Sequence, residues 1–261
     1  MIVLAQVSDT HIDLGERNTE RTRRVAAYLD AIPGRIDAVV VSGDIADHGA
    51  VAEYELARQL LPSRHPVYLM PGNHDSRDAL RRVLLGSEGT GPINQIHQVG
   101  ELTLLLVDSS VPGQSWGALT DETYAWLADA LAAGSGPVMV FLHHPPVRLF
   151  SPLVDPIRLV GDEQFADLLA GSGRVVGVAC GHAHTPATTV FAGVPLVIGP
   201  SVASILAPQW ETRECPMVDY TSPPALAFHV VDDTGRLTTH FRTVSKRFTE
   251  NAFDPALAPR S

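Results

Sequence analysis

The sequence predicts an α/β fold of two packed mixed β-sheets flanked by helices, and three observations carry that prediction. Short apolar runs alternate with helix-period segments through the first two thirds of the chain, the pattern of parallel-type strands with helices on their faces. Runs such as Ala38-Val39-Val40-Val41 are continuous rather than alternating, as in strands covered on both sides. Five of the runs end in Asp, Asn or His: Ser8-Asp9-Thr10-His11, Gly43-Asp44, Pro71-Gly72-Asn73-His74-Asp75, His143-His144 and Gly181-His182-Ala183-His184. Polar chemistry at five strand ends in one domain points to a shared site where the carboxyl ends converge.

Residues 2–8 read as the first strand. Asn18 or Thr19 caps a helix to about residue 32, with Val25, Ala26, Leu29 and Ile32 at helical spacing, and Pro33-Gly34 ends it. A buried strand at 38–41, a helix at about 50–61 and a strand at 66–70 follow. Asp75 or Ser76 caps a helix to about 85, Asp75 being the preferred cap over a catalytic acid. Residues 86–100, rich in Gly, Ser, Asn and Gln, read as an irregular loop. A strand at 102–107 precedes a helix capped by Thr120, and a strand at 138–142 runs into His143-His144-Pro145-Pro146, where two prolines forbid a helix start. In the loop 147–160, Phe150, Asp155, Pro156 and Arg158 are candidates to line or cover something, and a helix at about 162–170 leads to the strand before Gly181. Strands at 188–192, 195–198, 225–231 and 237–243 have no helices between them, which predicts a largely antiparallel sheet packed against the first. Residues 200–224, holding Trp210, read as a long loop near the site or at an interface. A single domain over 1–245 and a loosely held tail over 246–261 complete the expected organisation.

The net charge of −10 disfavours a nucleic-acid polymer or an anionic membrane as partner, because phosphate binding wants a cationic stripe. Cys180 and Cys215 are too few for a disulfide framework and read as unpaired thiols. The segment 1–7 lacks a basic lead, Asp9 interrupts any signal-type apolar core, and no run approaches the ~20 apolar residues that span a bilayer. A cytoplasmic protein with no membrane partner is the expectation.

Of eleven histidines, six lie in or beside the strand endings. A lone buried His is ordinarily a satisfied polar group, but Asp9, His11, Asp44, Asn73, His74, His143, His182 and His184 together cannot be satisfied cheaply without a cation. Carboxylates, imidazoles and one amide, with no thiolate, suit Mn, Fe, Zn or Co. Eight donors are too many for one ion, and seven serve two if one carboxylate bridges. His144 should point away from His143 and make a structural hydrogen bond. His48, His65, His97, His229 and His240 read as surface or core residues, and Trp116, Trp126 and Trp210 as packing residues, Trp210 alone lying in a substrate-facing loop.

Asp9-x-His11, Gly43-Asp44-x-x-Asp47, Gly72-Asn73-His74-Asp75, His143 and Gly181-His182-x-His184 resemble the five signature blocks of the calcineurin-like metallophosphoesterases. Their order and approximate spacing are similar to the bacterial branch of class III cyclic-nucleotide phosphodiesterases and glycerophosphodiesterases, over residues 2 to about 200. Segments 53–59 and 119–123 also resemble the glycerophosphodiesterase members. The resemblance implies a four-layer metallophosphoesterase sandwich holding two divalent cations. Asp9, His11 and His184 would hold one, Asn73, His143 and His182 the other, and Asp44 would bridge. A metal-bridging hydroxide would attack the phosphorus of a small diester, a cyclic nucleotide or a glycerophosphodiester. His74 would face the phosphate as charge stabiliser or proton donor, with Asp47 orienting it. The same core serves phosphomonoesterases and protein phosphatases, and a non-catalytic scaffold is expected only where ligands have been lost. The resemblance leaves the oligomeric state open, with a homodimer favoured and the loop 200–224 as a candidate contact, and it implies a substrate histidine near 199–204 that this chain lacks.

Overall fold

Every residue of Ala38–Ser42 is buried because different layers cover the strand's two faces. Val39 and Val41 pack with Val25, Leu29, Tyr54 and Ala57 of two helices, whereas Ala38 and Val40 cluster with Leu104, Leu106, Met139 and Phe141 of a second sheet. That sheet turns Leu105, Val107, Val140 and Leu142 outward onto Leu127, Phe165 and Leu169 of two further helices. The two-residue period of a strand thus converts continuous apolar runs into a helix–sheet–sheet–helix stack.

The computed structural model describes residues 1–61, 64–211 and 218–245. In order it contains β1 (Ile2–Val7), α1 (Glu16–Ala31), β2 (Ala38–Ser42), α2 (Val51–Leu60), β3 (Val67–Met70), α3 (Arg77–Leu80), β4 (Gln95–Val99), β5 (Leu102–Val107), β6 (Gly117–Ala118), α4 (Asp121–Ala132), β7 (Val138–Leu142), β8 (Leu159–Val160), α5 (Asp162–Ser172) and β9 (Val175–Cys180). The strands β10 (Ala187–Phe191), β11 (Val194–Ile198), β12 (Ile205–Leu206), β13 (Val218–Asp219), β14 (Ala225–Val231) and β15 (Leu237–Thr243) follow. One sheet has the order β15-β14-β1-β2-β3 and the other β10-β11-β9-β7-β5-β4. Within them β1, β2 and β3 run parallel, as do β5, β7 and β9, so their carboxyl ends are grouped.

Four expectations are corrected, the last of them the cap of α1. The helix-free strands after residue 184 do not form a sheet of their own. The hairpin β10–β11 adds to β9, and β14–β15 adds antiparallel to β1, because each hairpin meets its open backbone groups most directly at an existing edge. The stretch 86–100 is not all loop: β4 pairs with β5, its polar Gln95 and His97 disguising an edge strand. The third helix is one α-turn that continues as a π-helical turn, Arg81–Leu85.

Thr120 caps α4 as expected, accepting from the Thr123 N–H at 3.2 Å. Helix α1 begins after Gly15 rather than at an Asn18 or Thr19 cap; Asn18 turns inward and its Nδ2 donates to the His11 carbonyl at 2.6 Å. Cys180 is a buried free thiol, whereas Cys215 and the tail 246–261 lie outside the described residues. Among the described residues no helix is long and apolar enough to cross a membrane.

Candidate metal centre

The loops leaving β1, β2 and β9 hold their polar residues in an uncommon backbone conformation. Asp9, His11, Asp44, His182 and His184 have φ of 53°, 42°, 50°, 67° and 58°, a region that costs a side-chain-bearing residue about 1–3 kcal/mol and that clusters at functional sites. Cross-loop bonds hold it: Asp9 N donates to Gly43 O at 3.1 Å, His11 N to Asp44 O at 3.0 Å and Ala203 N to Asp9 O at 3.1 Å. Gly72 lets β3's loop close on the same point, since a Cβ there would stand 2.2 Å from Asp44 Oδ1 and 2.7 Å from His143 Nε2.

The donor atoms converge. His11 Nε2 and His184 Nε2 are 3.2 Å apart, and His184 Nε2 lies 3.5 Å from Asp9 Oδ1. Asp44 Oδ2 is 3.6 Å from His11 Nε2 and 3.3 Å from His143 Nε2, while Asp44 Oδ1 accepts the His74 N–H at 2.9 Å. Each imidazole is fixed from behind: His11 Nδ1 donates to Asp47 Oδ1 at 2.8 Å, His143 Nδ1 donates to Ser42 O at 2.8 Å, and His184 Nδ1 shares a hydrogen bond with Ser204 Oγ at 2.8 Å. Such outer partners select the tautomer that leaves Nε2 free to ligate.

The electrostatics fit a cation. Burial pushes the His143 imidazole down, but the Asp44 carboxylate prevails and holds it up at about 9. Burial would raise Asp44, yet the imidazoles around it, His143 foremost, hold it well below the usual carboxylate range. Burial drives His182 far below its ordinary value and His184 down to about 4. Asn73 Oδ1 and His182 Nε2 are buried without a hydrogen-bond partner, and His143 Nε2 has only the Asp44 carboxylate at 3.3 Å, an expensive arrangement that a shared cation would resolve. Four groups, Asp9–His11–His184, Asp9–Asp44–His143, His143–His144–His182 and His11–Asp44–His74, have ligand atoms mutually within 4.8 Å. The residues therefore suit divalent cations.

Several residues take other parts than expected. Asp47 does not orient His74 through its carboxylate: Oδ1 is 3.7 Å from His74 Nδ1, which donates instead to the Asp47 carbonyl at 2.8 Å. Asp75 is not the α3 cap; Ser76 Oγ accepts from Ala79 N. The Asp75 carboxylate accepts from the N–H groups of Gly72, Ala46 and Ile45 and from Tyr54 Oη, so it clamps the β2 and β3 loops together. Burial, with the Asp44 charge next, pushes it up to about 6. His144 makes its structural bond, Nδ1 to Ser109 Oγ at 2.8 Å, although its ring also packs 4.7 Å from that of His182.

A cleft of about 700 Å³ opens over His11, Asp44, Asn73, His74, His182 and His184. Ile157 lines it, rather than Phe150, Asp155, Pro156 or Arg158, and Leu206, Val218 and Tyr220 line it from the 200–224 loop, rather than Trp210, which is 69% exposed. Ser42, Ser204 and Asn18, which brace the ligands, carried no sequence signal beyond the need of each imidazole for an acceptor.

Comparison with known proteins agrees with this geometry. The chain is 34% identical over 246 residues to the glycerophosphodiester phosphodiesterase GpdQ of Enterobacter lignolyticus, covering 87% of this chain and 86% of that one. It is 29% identical to the 3′,5′-cyclic adenosine monophosphate phosphodiesterase CpdA of Pseudomonas aeruginosa, covering 98% and 94%. A dimetal phosphatase from Danio rerio shares the fold alone, with a TM-score of 0.65 at 14% identity over 94% of this chain and 99% of that one. Residues 2–186, from β1 through the His182-x-His184 loop, match the calcineurin-like phosphoesterases, and the chain belongs to that family.

Proposed function

We propose that the protein hydrolyses small phosphodiesters, cyclic nucleotides or glycerophosphodiesters, with two divalent cations. The observation that carries this reading is Asp44 Oδ2, which faces His11 Nε2 at 3.6 Å on one side and His143 Nε2 at 3.3 Å on the other. Asp9, His11 and His184 would hold one cation, Asn73, His143 and His182 the other, and Asp44 would be shared. Nitrogen and oxygen donors without thiolate suit Mn, Fe, Zn or Co. When bound, such a pair supplies Lewis acidity and a water acidified enough to attack phosphorus near neutral pH.

His74 contributes what the ligands cannot. Its Nδ1–H is held by the Asp47 carbonyl and its side chain is 41% exposed in the cleft, which leaves Nε2 to meet a phosphoryl group. As an imidazolium it would neutralise charge on the phosphoryl oxygens or protonate the departing alkoxide. The two relatives described above are named for a glycerophosphodiester and for a cyclic nucleotide, both diesters.

The test is turnover by Mn²⁺-reconstituted protein of a chromogenic diester, its monoester, 3′,5′-cyclic AMP and glycerophosphocholine. Diesters cleaved well above the monoester support the reading, and a faster monoester makes the protein a phosphomonoesterase. Less than one ion per chain after supplementation would leave a non-catalytic scaffold.

A further inference from the structure

The cleft over the metal ligands is also lined by Arg17, Leu206, Val218 and Tyr220. There the Arg17 guanidinium lies over the Tyr220 ring, 4.3 Å from its centroid. Both partners are anchored to the metal centre. Asn18, next to Arg17, donates to the His11 carbonyl. Tyr220 follows β13, which pairs with β12, and β12 begins directly after Ser204, the partner of His184. Tyr220 is nonetheless 55% exposed, so the stack has a face open to a further planar group.

The other side of His74 differs. A second groove of about 480 Å³, lined by His48, Ser76, Arg77, Thr90 and Ser110 among others, has no Phe, Tyr or Trp among its described residues. The Arg77 guanidinium there is already engaged by Asp108 Oδ2 and the Ser110 carbonyl, each at 2.7 Å. The one further ring there, the His48 imidazole, is held by Glu53, so an aromatic–guanidinium stack is offered on one side of the phosphate position only.

We propose that Tyr220 and Arg17 form the platform that binds the planar base of a nucleoside cyclic phosphate, an inference that rests on the diesterase reading above. In such a substrate both ester oxygens belong to one sugar, so a single base projects to one side, as the asymmetric cleft requires. Aromatic rings and guanidinium planes both stack on bases. A choline or ethanolamine headgroup meets the opposite situation. One ring face already carries the Arg17 cation, whose charge repels a second cation on the open face, whereas a neutral base stacks there without that penalty.

The experiment measures KM and kcat of the reconstituted enzyme for 3′,5′-cyclic AMP and glycerophosphocholine in the wild type, Tyr220→Ala, Tyr220→Phe and Arg17→Met. In Tyr220→Ala the ratio of the cyclic AMP KM to the glycerophosphocholine KM should rise about tenfold, the scale of one base stack. The change should fall on KM rather than kcat, and Tyr220→Phe, which keeps the ring, should restore the ratio. Arg17→Met should lower the KM for glycerophosphocholine. Equal KM effects on both substrates, or a wild type that cleaves glycerophosphocholine but not cyclic AMP, overturns this inference alone. A wild type that binds metal and cleaves no diester overturns the diesterase reading and this inference with it.

Discussion

The Asp47 carboxylate serves His11 rather than His74. Its Oδ1 accepts from His11 Nδ1 at 2.8 Å, whereas His74 Nδ1 stands 3.7 Å from the same oxygen and donates to the Asp47 backbone carbonyl. One residue thus supports both histidines by different means, through a side chain for the proposed ligand and through the main chain for the proposed phosphate-facing group.

Removing the side chain should therefore affect metal binding first. Asp47→Ala is expected to weaken the cation at Asp9, His11 and His184 by about 10–100-fold, the usual cost of losing a ligand's supporting acceptor. Calorimetric titration of the metal-free protein with Mn²⁺ checks this. A variant that binds Mn²⁺ like the wild type and loses only turnover would return Asp47 to a role on His74.

Gly72→Ala should empty the centre without removing a ligand. The added Cβ would stand 2.2 Å from Asp44 Oδ1 and 2.5 Å from Asp44 N, so the shared carboxylate must move. Overpacking of this kind costs about 1–3 kcal/mol. Metal content measured after dialysis should fall for both ions, and urea melts of the metal-free variant should show the destabilisation. Asp44→Asn, nearly isosteric, should lose the metals without that packing cost; full occupancy in both variants would remove Asp44 from the centre.

The centre was legible in the chain because its donors follow apolar runs, and a run such as 175–180 ending in Gly181-His182-Ala183-His184 declares both the strand and the chemistry. Groups that act across the fold were not legible. Ser204 reaches His184, and the Ser42 carbonyl reaches His143 across 101 positions of sequence, by pairings that no local pattern encodes. The same limit explains the misplaced C-terminal strands. The partner of β14 is β1, at the far end of the chain, and alternation within 225–231 says only that it is a strand. In β4 the burial alternates weakly, with Ile96 itself exposed, and an edge strand of that kind resembles a loop in composition.

His74→Ala separates binding from chemistry. His74 lies outside the proposed ligand set, and its ring packs edge-on against His11 at 4.6 Å without sharing the Asp47 carboxylate. The variant should keep both metals and lose about 10²–10⁴-fold in kcat on a diester, as for a positioned proton donor. The loss should shrink for a nitrophenolate leaving group, which departs without protonation. Loss of metal along with activity would instead make His74 a ligand.

His229 gives the fold a pH dependence independent of the metals. It is wholly buried, donates Nε2–H to Gln6 Oε1 at 2.9 Å, and shares a bond with Thr239 Oγ1 at 2.9 Å. Gln6 Nε2 in turn donates to Ser42 Oγ at 2.8 Å and to the Cys180 carbonyl at 2.9 Å, joining the two sheets beneath the centre. Burial pushes His229 from its ordinary 6.5 down to about 3. Above the ordinary value the ring is neutral in both folded and unfolded chains, and it contributes no pH dependence. Between 6.5 and about 3 the unfolded chain takes up a proton that the folded one refuses, so stability falls as the pH drops through this window. At about 1.4 kcal/mol per pH unit, the loss reaches about 3 kcal/mol near pH 4. Urea melts of metal-free wild type and His229→Gln across this range should converge by about that amount, because Gln can still donate to Gln6 but does not titrate. Parallel curves would mean that the unfolded-state proton uptake lies elsewhere, among the histidines of the centre.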